Sequence, residues 1–240
     1  MKTYAVWDRT TRLFHWINFL CVLGLIGLGT AILFAGDLGA SNEGKIALKT
    51  AHVWVGYVFA LNLLWRLIWA FIGGPHARWS ALLPGGRGYL RSMREHLAPA
   101  SKVGRKTYVG HNPAGRLAVT VILLALTVQA CTGLILAGTD LYQPPFGSYF
   151  AQWVAGPDLD PSQVRPYAPE TVDETAFKEM RDFRAPVIET HVLTFYLLLA
   201  LIVLHIGAVV LMELRHGGAL VSAMFTGRKY FPIGSDPVDE

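Results

Sequence analysis

The chain has 240 residues, of which 52% are hydrophobic and only 16% are charged, and its mean hydropathy is +0.37. Soluble domains carry about 25% charged residues, so this composition excludes an ordinary soluble domain and predicts an integral membrane protein. The formal net charge of +4 does not indicate nucleic-acid binding, because the basic residues are distributed by membrane side.

Four apolar segments follow one another along the chain, and each is near the roughly 20 residues that cross the hydrocarbon core of a bilayer. We predict membrane spans at about 15–34, 48–72, 116–137 and 188–214. The predicted fold class is therefore all-α, an integral membrane four-helix bundle that residues 1–240 form as a single domain. Because the number of spans is even, both termini should lie on one side of the membrane.

The distribution of lysine and arginine predicts the orientation. Residues 73–115, between the second and third spans, carry seven basic residues and a single acid, Glu95. Residues 139–187, between the third and fourth spans, carry eight acids and four basic residues. We therefore expect both termini and residues 73–115 to be cytoplasmic, and residues 139–187 to form a long periplasmic loop.

Two of the segments between the spans have patterns of their own. Residues 86–97 are basic and favour either a short amphipathic helix on the inner leaflet or a solvated loop. The 139–187 loop is rich in proline and aromatic residues, including Tyr142 and Trp153. Loops of this length are usually functional or disordered, and the aromatic residues favour an ordered cap that could serve as a docking face.

Histidines occur in the spans at matching depths. His191 and His205 are 14 residues apart in the fourth span, close to four helical turns, so both imidazoles project from nearly the same face, about 21 Å apart. By depth, His52 matches His191 at the outer side of the membrane. His15 matches His205 at the inner side. Two such pairs favour two haem sites, each with two histidine ligands, that transfer electrons. The alternative is that these histidines belong to the protein core and have hydrogen-bond partners there.

Other residues of the spans bear on these pairs. Arg66 follows His52 by 14 residues and so shares its face at the depth of the inner pair. There it could neutralise a haem propionate, or it could snorkel to the membrane surface. Four glycines would let a helix or a flat ring approach closely: Gly24, Gly27, Gly29 and Gly133. Three histidines of the polar segments are expected to be solvated: His76, His96 and His216.

Four motifs accompany the spans: RLFHW at 12–16, HVWVGY at 52–57, GHNPAG at 110–115 and AMFTGRK at 223–229. Together they resemble the bacterial cytochrome b561 superfamily, which includes the b-type cytochrome subunits of nickel-iron hydrogenases and is similar to the membrane subunit of formate dehydrogenase. The resemblance covers essentially all four spans. It implies a multi-pass protein of the bacterial inner membrane with two haem b groups, whose iron ligands would be His15, His52, His191 and His205.

The resemblance also implies an exchange of electrons with the membrane quinone pool. In related subunits the quinone lies beside the inner haem, near a polar residue that precedes the third helix, and Asn112 is the best match here. The neighbouring His111 could relay the proton that quinone reduction requires. The alternative for both residues is turn chemistry, because Asn-Pro favours a turn before a helix and His111 could simply be exposed.

The expected function is electron transfer across the inner membrane between the quinone pool and a periplasmic redox protein or multi-subunit oxidoreductase. One alternative of the same fold is a superoxide:quinone oxidoreductase, which would need a basic outer pocket although the outer side carries an excess of acids. Another is the cytochrome b subunit of a nickel-iron hydrogenase, for which the outer loop is longer than expected. A metal or solute transporter is disfavoured, because the carboxylates Glu189 and Glu213 lie at the ends of the fourth span.

Overall fold

The computed structural model describes residues 2–98, 107–216, 220–231, 233 and 237–238. In chain order they form β1 (Lys2–Ala5), α1 (Arg9–Leu33), α2 (Asn42–Ile72), α3 (Trp79–Leu82), α4 (Tyr89–Leu97), α5 (Pro113–Leu141), α6 (Gly147–Ala155), α7 (Glu174–His216), α8 (Leu220–Thr226) and β2 (Arg228–Phe231). Three basic residues that contributed to the predicted orientation lie outside the described residues: Lys102, Arg105 and Lys106. The side chain of His216 also lies outside this description.

The helices α1, α2, α5 and α7 are 25, 31, 29 and 43 residues long. Within the part of the chain that the structure describes, these four helices are long and apolar enough to cross a membrane. About 20 residues suffice for the hydrocarbon core, so each helix extends beyond it. The prediction of a helical membrane protein with four spans is confirmed.

The largest difference from the predicted boundaries is at the start of α7. The predicted fourth span begins at about residue 188. The helix instead begins at Glu174 and continues through Pro186. The Asp173 side chain caps its first turn by accepting a hydrogen bond from a backbone amide at 2.8 Å. Packing holds these early turns as well, since Met180 is buried against α6.

The segment between α5 and α7 is ordered and contains α6. Phe150 and Val154 of α6 are buried in a hydrophobic cluster with Val164 and Met180. The ring of Phe150 stacks on that of Trp153, with centroids 6.1 Å apart. The aromatic residues of this segment therefore form an ordered structure, as the sequence predicted.

The amphipathic helix that was one of two expectations for residues 86–97 is present as α4. Leu90 and Leu97 are exposed on this helix. The Tyr89 hydroxyl donates to the Pro113 carbonyl at 2.9 Å and so links the start of α4 to the start of α5.

The chain divides into two compact units. The first unit comprises Met1–Trp16, Leu63–Ala125 and Leu198–Glu240. The second unit comprises Ile17–Asn62 and Leu126–Leu197. Each of the four long helices therefore contributes one part to each unit.

In the first unit, the two strands form a small antiparallel sheet. Lys2 of β1 lies opposite Phe231 of β2, and Ala5 lies opposite Arg228. Phe231 is buried next to Val109 in a hydrophobic cluster that belongs to the same unit. The pairing brings the segment before α1 together with the segment after α8.

In the second unit, one carboxylate joins three helices. Lys49 Nζ of α2 is 2.6 Å from Asp140 Oδ2, and Arg184 Nε of α7 is 2.5 Å from Asp140 Oδ1. The three side chains are between 15% and 21% exposed, so this junction is largely shielded from salt. We call it the Asp140 junction.

Candidate functional site

Two of the predicted histidines face each other in the second unit. The ring centroids of His52, on α2, and His191, on α7, are 6.4 Å apart, and the ring planes are inclined at 70°. A metal–imidazole bond is about 2 Å and an imidazole ring has a radius of about 1 Å, so two rings that bind one metal from opposite sides have centroids about 6 Å apart. The observed separation suits the two axial ligands of one haem iron.

Glycines make room for both of these rings. A Cβ atom on Gly29 would lie 3.4 Å from His52 Cε1, and one on Gly133 would lie 3.3 Å from His191 Cε1. Carbon atoms pack best at about 3.5–4.0 Å, so a larger side chain at either position would press on the imidazole. A Cβ atom on Gly27, by contrast, would have no neighbour within 4 Å. Gly29 therefore borders the histidine pair, whereas Gly27 does not.

Two polar residues of α5 contact His191, and neither was predicted from the sequence. Thr132 Oγ1 is 2.8 Å from His191 Nδ1, and Gln129 Nε2 is 3.0 Å from His191 Nε2. Gln129, Thr132 and Gly133 share one face of α5, because residues three and four apart are neighbours on a helix surface. Polar residues on the same helix face as a glycine, inside an apolar span, could have indicated that this face of α5 meets the histidine.

The other predicted pair lies in the first unit. His15, on α1, and His205, on α7, both belong to this unit. Nδ1 of His15 is buried and has no hydrogen-bond partner among the described residues, and the same holds for Nδ1 of His52. His205 is exposed although it belongs to an apolar, membrane-spanning helix. Polar groups are costly in such surroundings unless they are bound, so these imidazoles fit the iron of a b-type haem.

Arg66 is buried rather than extended to a membrane surface. It is 5% exposed, and its Nη1 donates to the Ala77 carbonyl at 3.2 Å. Its guanidinium carbon is 5.8 Å from the centre of the Phe14 ring. A snorkelling arginine would place its charge in water, so this burial contradicts that alternative. Because Phe14 precedes His15, Arg66 stays a candidate partner for a haem propionate.

His111 lies in a buried aromatic and basic cluster of the first unit. Its ring is 4.7 Å from that of Trp7, and its buried Nδ1 has no hydrogen-bond partner in the described part of the chain. Burial, together with the nearby charges of Lys229 and Arg66, lowers the pKa of His111 to about 3. The imidazole is therefore neutral at physiological pH, and the alternative of an exposed turn residue is wrong. A neutral ring can still donate one hydrogen bond and accept another.

Asn112 caps α5, as the turn alternative predicted. Its Oδ1 accepts a hydrogen bond from the Gly115 amide at 2.6 Å, and its backbone carbonyl accepts one from the Arg116 amide at 2.9 Å. Asparagine is among the preferred residues at this position of a helix. The cap engages the side-chain oxygen and leaves the amide nitrogen as the group that could donate to a ligand.

Lys229 fixes the segment that carries His111. The lysine is 5% exposed, and its Nζ donates to the carbonyls of Tyr108, Val109 and Gly110 at 3.3, 2.7 and 3.0 Å. Burial lowers the pKa of Lys229 to about 8. The three carbonyls, which belong to residues just before α5, stabilise the charge of Lys229 and offset part of the cost of its burial.

His76 belongs to the same cluster and is half-buried. Its ring is 6.4 Å from that of Trp7 in an edge-to-face arrangement. A Cβ atom on Gly110 would lie only 2.9 Å from His76 Nδ1, so glycine at this position permits the close approach. An open cavity of about 250 Å³ is lined by residues 5–8 and 74–76 and so adjoins both rings.

Four membrane-spanning helices with histidines paired between them define a class of protein, the membrane-bound b-type cytochromes. Residues 6–227 match the family described as prokaryotic cytochrome b561, and the chain belongs to this family. The protein is accordingly a bacterial membrane cytochrome that carries haem b and serves in electron transport.

Several relatives are each named a probable Ni/Fe-hydrogenase B-type cytochrome subunit. The protein of Azotobacter chroococcum is 31% identical over 159 residues, which cover 62% of this chain and 65% of that protein. The protein of Cupriavidus necator is 25% identical over 244 residues, covering 96% and 88%. The subunit named for hydrogenase 1 of Escherichia coli is 25% identical over 175 residues, covering 66% and 72%. No solved structure matches the chain.

Proposed function

We propose that this cytochrome binds two haem b groups and carries electrons across the bacterial inner membrane between the quinone pool and a periplasmic partner. His52 and His191 would hold one haem, and His15 and His205 the other. The observation that carries the proposal is the facing pair His52–His191, with centroids 6.4 Å apart. When bound, each haem supplies one-electron redox chemistry. Two histidines would hold each haem, so the site would be suited to electron transfer rather than to binding a gas.

Haem stoichiometry tests this assignment. Wild-type protein should contain two haem b groups per chain in a pyridine haemochrome assay. His52→Ala and His191→Ala should lose the same haem, as judged by reduced-minus-oxidised spectra, and His15→Ala and His205→Ala should lose the other. His96→Ala is the matched control, because His96 belongs to α4 and to neither pair. One haem per wild-type chain, or loss of different haems from the two members of a pair, would overturn the assignment.

The distribution of charge supports the proposed orientation. Residues 73–115 belong to the first unit and residues 139–187 to the second unit. The positive-inside rule therefore supports a cytoplasmic side for the loops of the first unit and a periplasmic side for those of the second. Under this orientation, the haem of His52 and His191 would exchange electrons with the periplasmic partner, and the haem of His15 and His205 would exchange electrons with the quinone.

The proposed quinone site is the cluster around His111 in the first unit. The amide nitrogen of Asn112 would donate to a quinone carbonyl. Buried positive charge on Arg66 and Lys229 favours the negative charge that develops on quinone oxygens during reduction. His111 is neutral because its pKa is about 3, so it would donate an N–H hydrogen bond to the quinone rather than supply its proton.

The two roles of Asn112 can be separated by substitution. Asn112→Asp keeps the oxygen that caps α5 but removes the amide donor, so it should slow quinone turnover while both haems stay bound. Asn112→Ser keeps an oxygen for the cap and restores a donor, and it should recover part of the turnover. Loss of the cap alone would cost about 1 kcal/mol and would appear in thermal unfolding. Wild-type turnover in Asn112→Asp would reject the amide as a quinone ligand.

The proposed periplasmic docking face is the surface of α6. Tyr149 is 61% exposed and Phe146, just before the helix, is 42% exposed. Exposed aromatic residues are enriched at protein interfaces. The names of the relatives support an oxidoreductase subunit, such as that of a hydrogenase, as the partner. Phe146→Ser and Tyr149→Ser should slow electron exchange with the partner and leave reduction of the haems by quinol unchanged, and an unaffected exchange rate would reject this face.

The Asp140 junction bears on the superoxide alternative, which needs cationic side chains on the outer side that are available to an anion. Lys49 and Arg184 are both engaged by Asp140, at 2.6 and 2.5 Å. These two side chains are therefore less available to an anion than a lysine or arginine without an acidic partner.

A further inference from the structure

One hydroxyl of α5 lies between a backbone carbonyl and a ring nitrogen of His191. Thr132 Oγ1 is 2.8 Å from the carbonyl of Val128, one turn earlier in α5, and 2.8 Å from His191 Nδ1. If His191 binds iron through Nε2, as the proposed function requires, its Nδ1 carries a proton. Thr132 Oγ1 is then placed to accept from Nδ1–H while its own proton goes to the Val128 carbonyl.

The other ring nitrogen has a contact of its own. Gln129 Nε2 is 3.0 Å from His191 Nε2. The same Nε2 lone pair would bind the iron, so Gln129 would give up this contact when haem is bound. The contact of Thr132 with Nδ1, on the far side of the ring, can persist in the haem-bound protein.

The facing ring has a different environment. Nδ1 of His52 is buried and has no hydrogen-bond partner in the part of the chain that the structure describes. A hydrogen bond from Nδ1–H to an acceptor orients an imidazole and raises its basicity as a metal ligand. His191 receives this assistance from Thr132, and His52 does not.

We propose that Thr132 is a positioning residue that makes the two ligands of this haem unequal and tunes its reduction potential. The proposal rests on the function proposed above, in which His52 and His191 bind one iron. A more basic ligand stabilises the oxidised iron more than the reduced iron. The hydroxyl of Thr132 thereby lowers the potential of the haem on the periplasmic side, relative to a site without this hydrogen bond.

The test is a pair of substitutions at Thr132 with spectroelectrochemical titration of both haems. Thr132→Val keeps the shape of the side chain and removes the acceptor, so the midpoint potential of the haem that His191→Ala loses should shift upward. Thr132→Ser keeps the hydroxyl and should return the potential toward the wild-type value. Thr139→Val is the matched control, because Thr139 is also buried in α5 and its hydroxyl bonds to its own helix at Leu136.

The outcomes separate this proposal from the function on which it rests. If both haems stay bound in Thr132→Val with wild-type potentials, the positioning role is overturned while the haem assignment stands. If Thr132→Val loses the haem and Thr132→Ser keeps it, the hydroxyl is needed to orient the ligand, which supports the role. Loss of the haem from both Thr132→Val and Thr132→Ser overturns the positioning role. If His191→Ala retains two haems, the haem assignment itself fails.

Discussion

The contact between Gly133 and His191 leads to a quantitative prediction about haem retention. Alanine at this position would bring a Cβ atom to 3.3 Å from His191 Cε1. Since carbon atoms pack best at about 3.5–4.0 Å, the ring must move by a few tenths of an ångström. Overpacking of this kind typically costs about 1–3 kcal/mol. Each 1.4 kcal/mol is about a factor of ten in an equilibrium constant, so Gly133→Ala should weaken haem retention at this pair by about 5-fold to 150-fold.

Gly27→Ala is a matched control for the effect of the glycine-to-alanine change on the helix itself. Alanine is favoured over glycine in a helix by about 0.8–1.0 kcal/mol, which would by itself stabilise the protein. Gly27→Ala shares this gain, but its Cβ atom meets nothing within 4 Å. Gly29→Ala approaches His52 Cε1 at 3.4 Å and should lie between the two other variants. The ranking of the three variants therefore isolates the contact with the ring.

The assay is the ratio of haem to protein after graded dilution in detergent, followed by the Soret band. Gly133→Ala should lose one of two haems at a dilution where wild type and Gly27→Ala retain both. Its remaining haem should have the spectrum of the haem that His191→Ala retains. Equal retention in Gly133→Ala and Gly27→Ala would refute the reasoning, because the ring contact would then carry no cost.

Three further predictions concern stability and orientation. Asp140→Asn leaves a lysine and an arginine without their acidic partner at the Asp140 junction, so it should lower the free energy of unfolding by about 3 kcal/mol in thermal melts. Asp37 is exposed, so the control Asp37→Asn should have little effect. A reporter that is active only in the periplasm should be active when fused after Gly156 and inactive after Leu97, and the reverse result would invert the proposed orientation. Burial lowers the pKa of Lys229 from 10.5 to about 8, so the folded state releases this proton before the unfolded state does. Stability should therefore rise as the pH increases through that interval, and the rise should be missing in Lys229→Met.

The spans and the histidine pairs could be predicted because both depend on local, periodic properties of the chain. Apolar runs of sufficient length specify helices in a membrane, and a spacing of 14 residues places two side chains on one helix face. The structure brings the rings of His52 and His191 together and places His15 and His205 in one unit. Their role as haem ligands stays a prediction.

Features that depend on packing between distant segments could not be predicted. The extension of α7 back through Pro186 is held by the cluster around Met180, which lies against α6. The burial of His111 depends on Trp7 and Lys229, which come from opposite ends of the sequence. The contact between Thr132 and His191 joins α5 to α7, and an isolated threonine in an apolar span does not indicate which helix it will meet.

The strand pairing of the first unit has a consequence for biosynthesis. Residues 2–5 pair with residues 228–231, which are translated more than 220 positions later. At about 5–20 residues per second, β1 waits roughly 10–45 s for its partner strand. All residues of the second unit, by contrast, have been translated by Leu197. The ribosome therefore completes the sequence of the His52–His191 pair before it reaches His205 and Lys229, so the buried basic cluster around His111 can form only after the rest of the chain has been made.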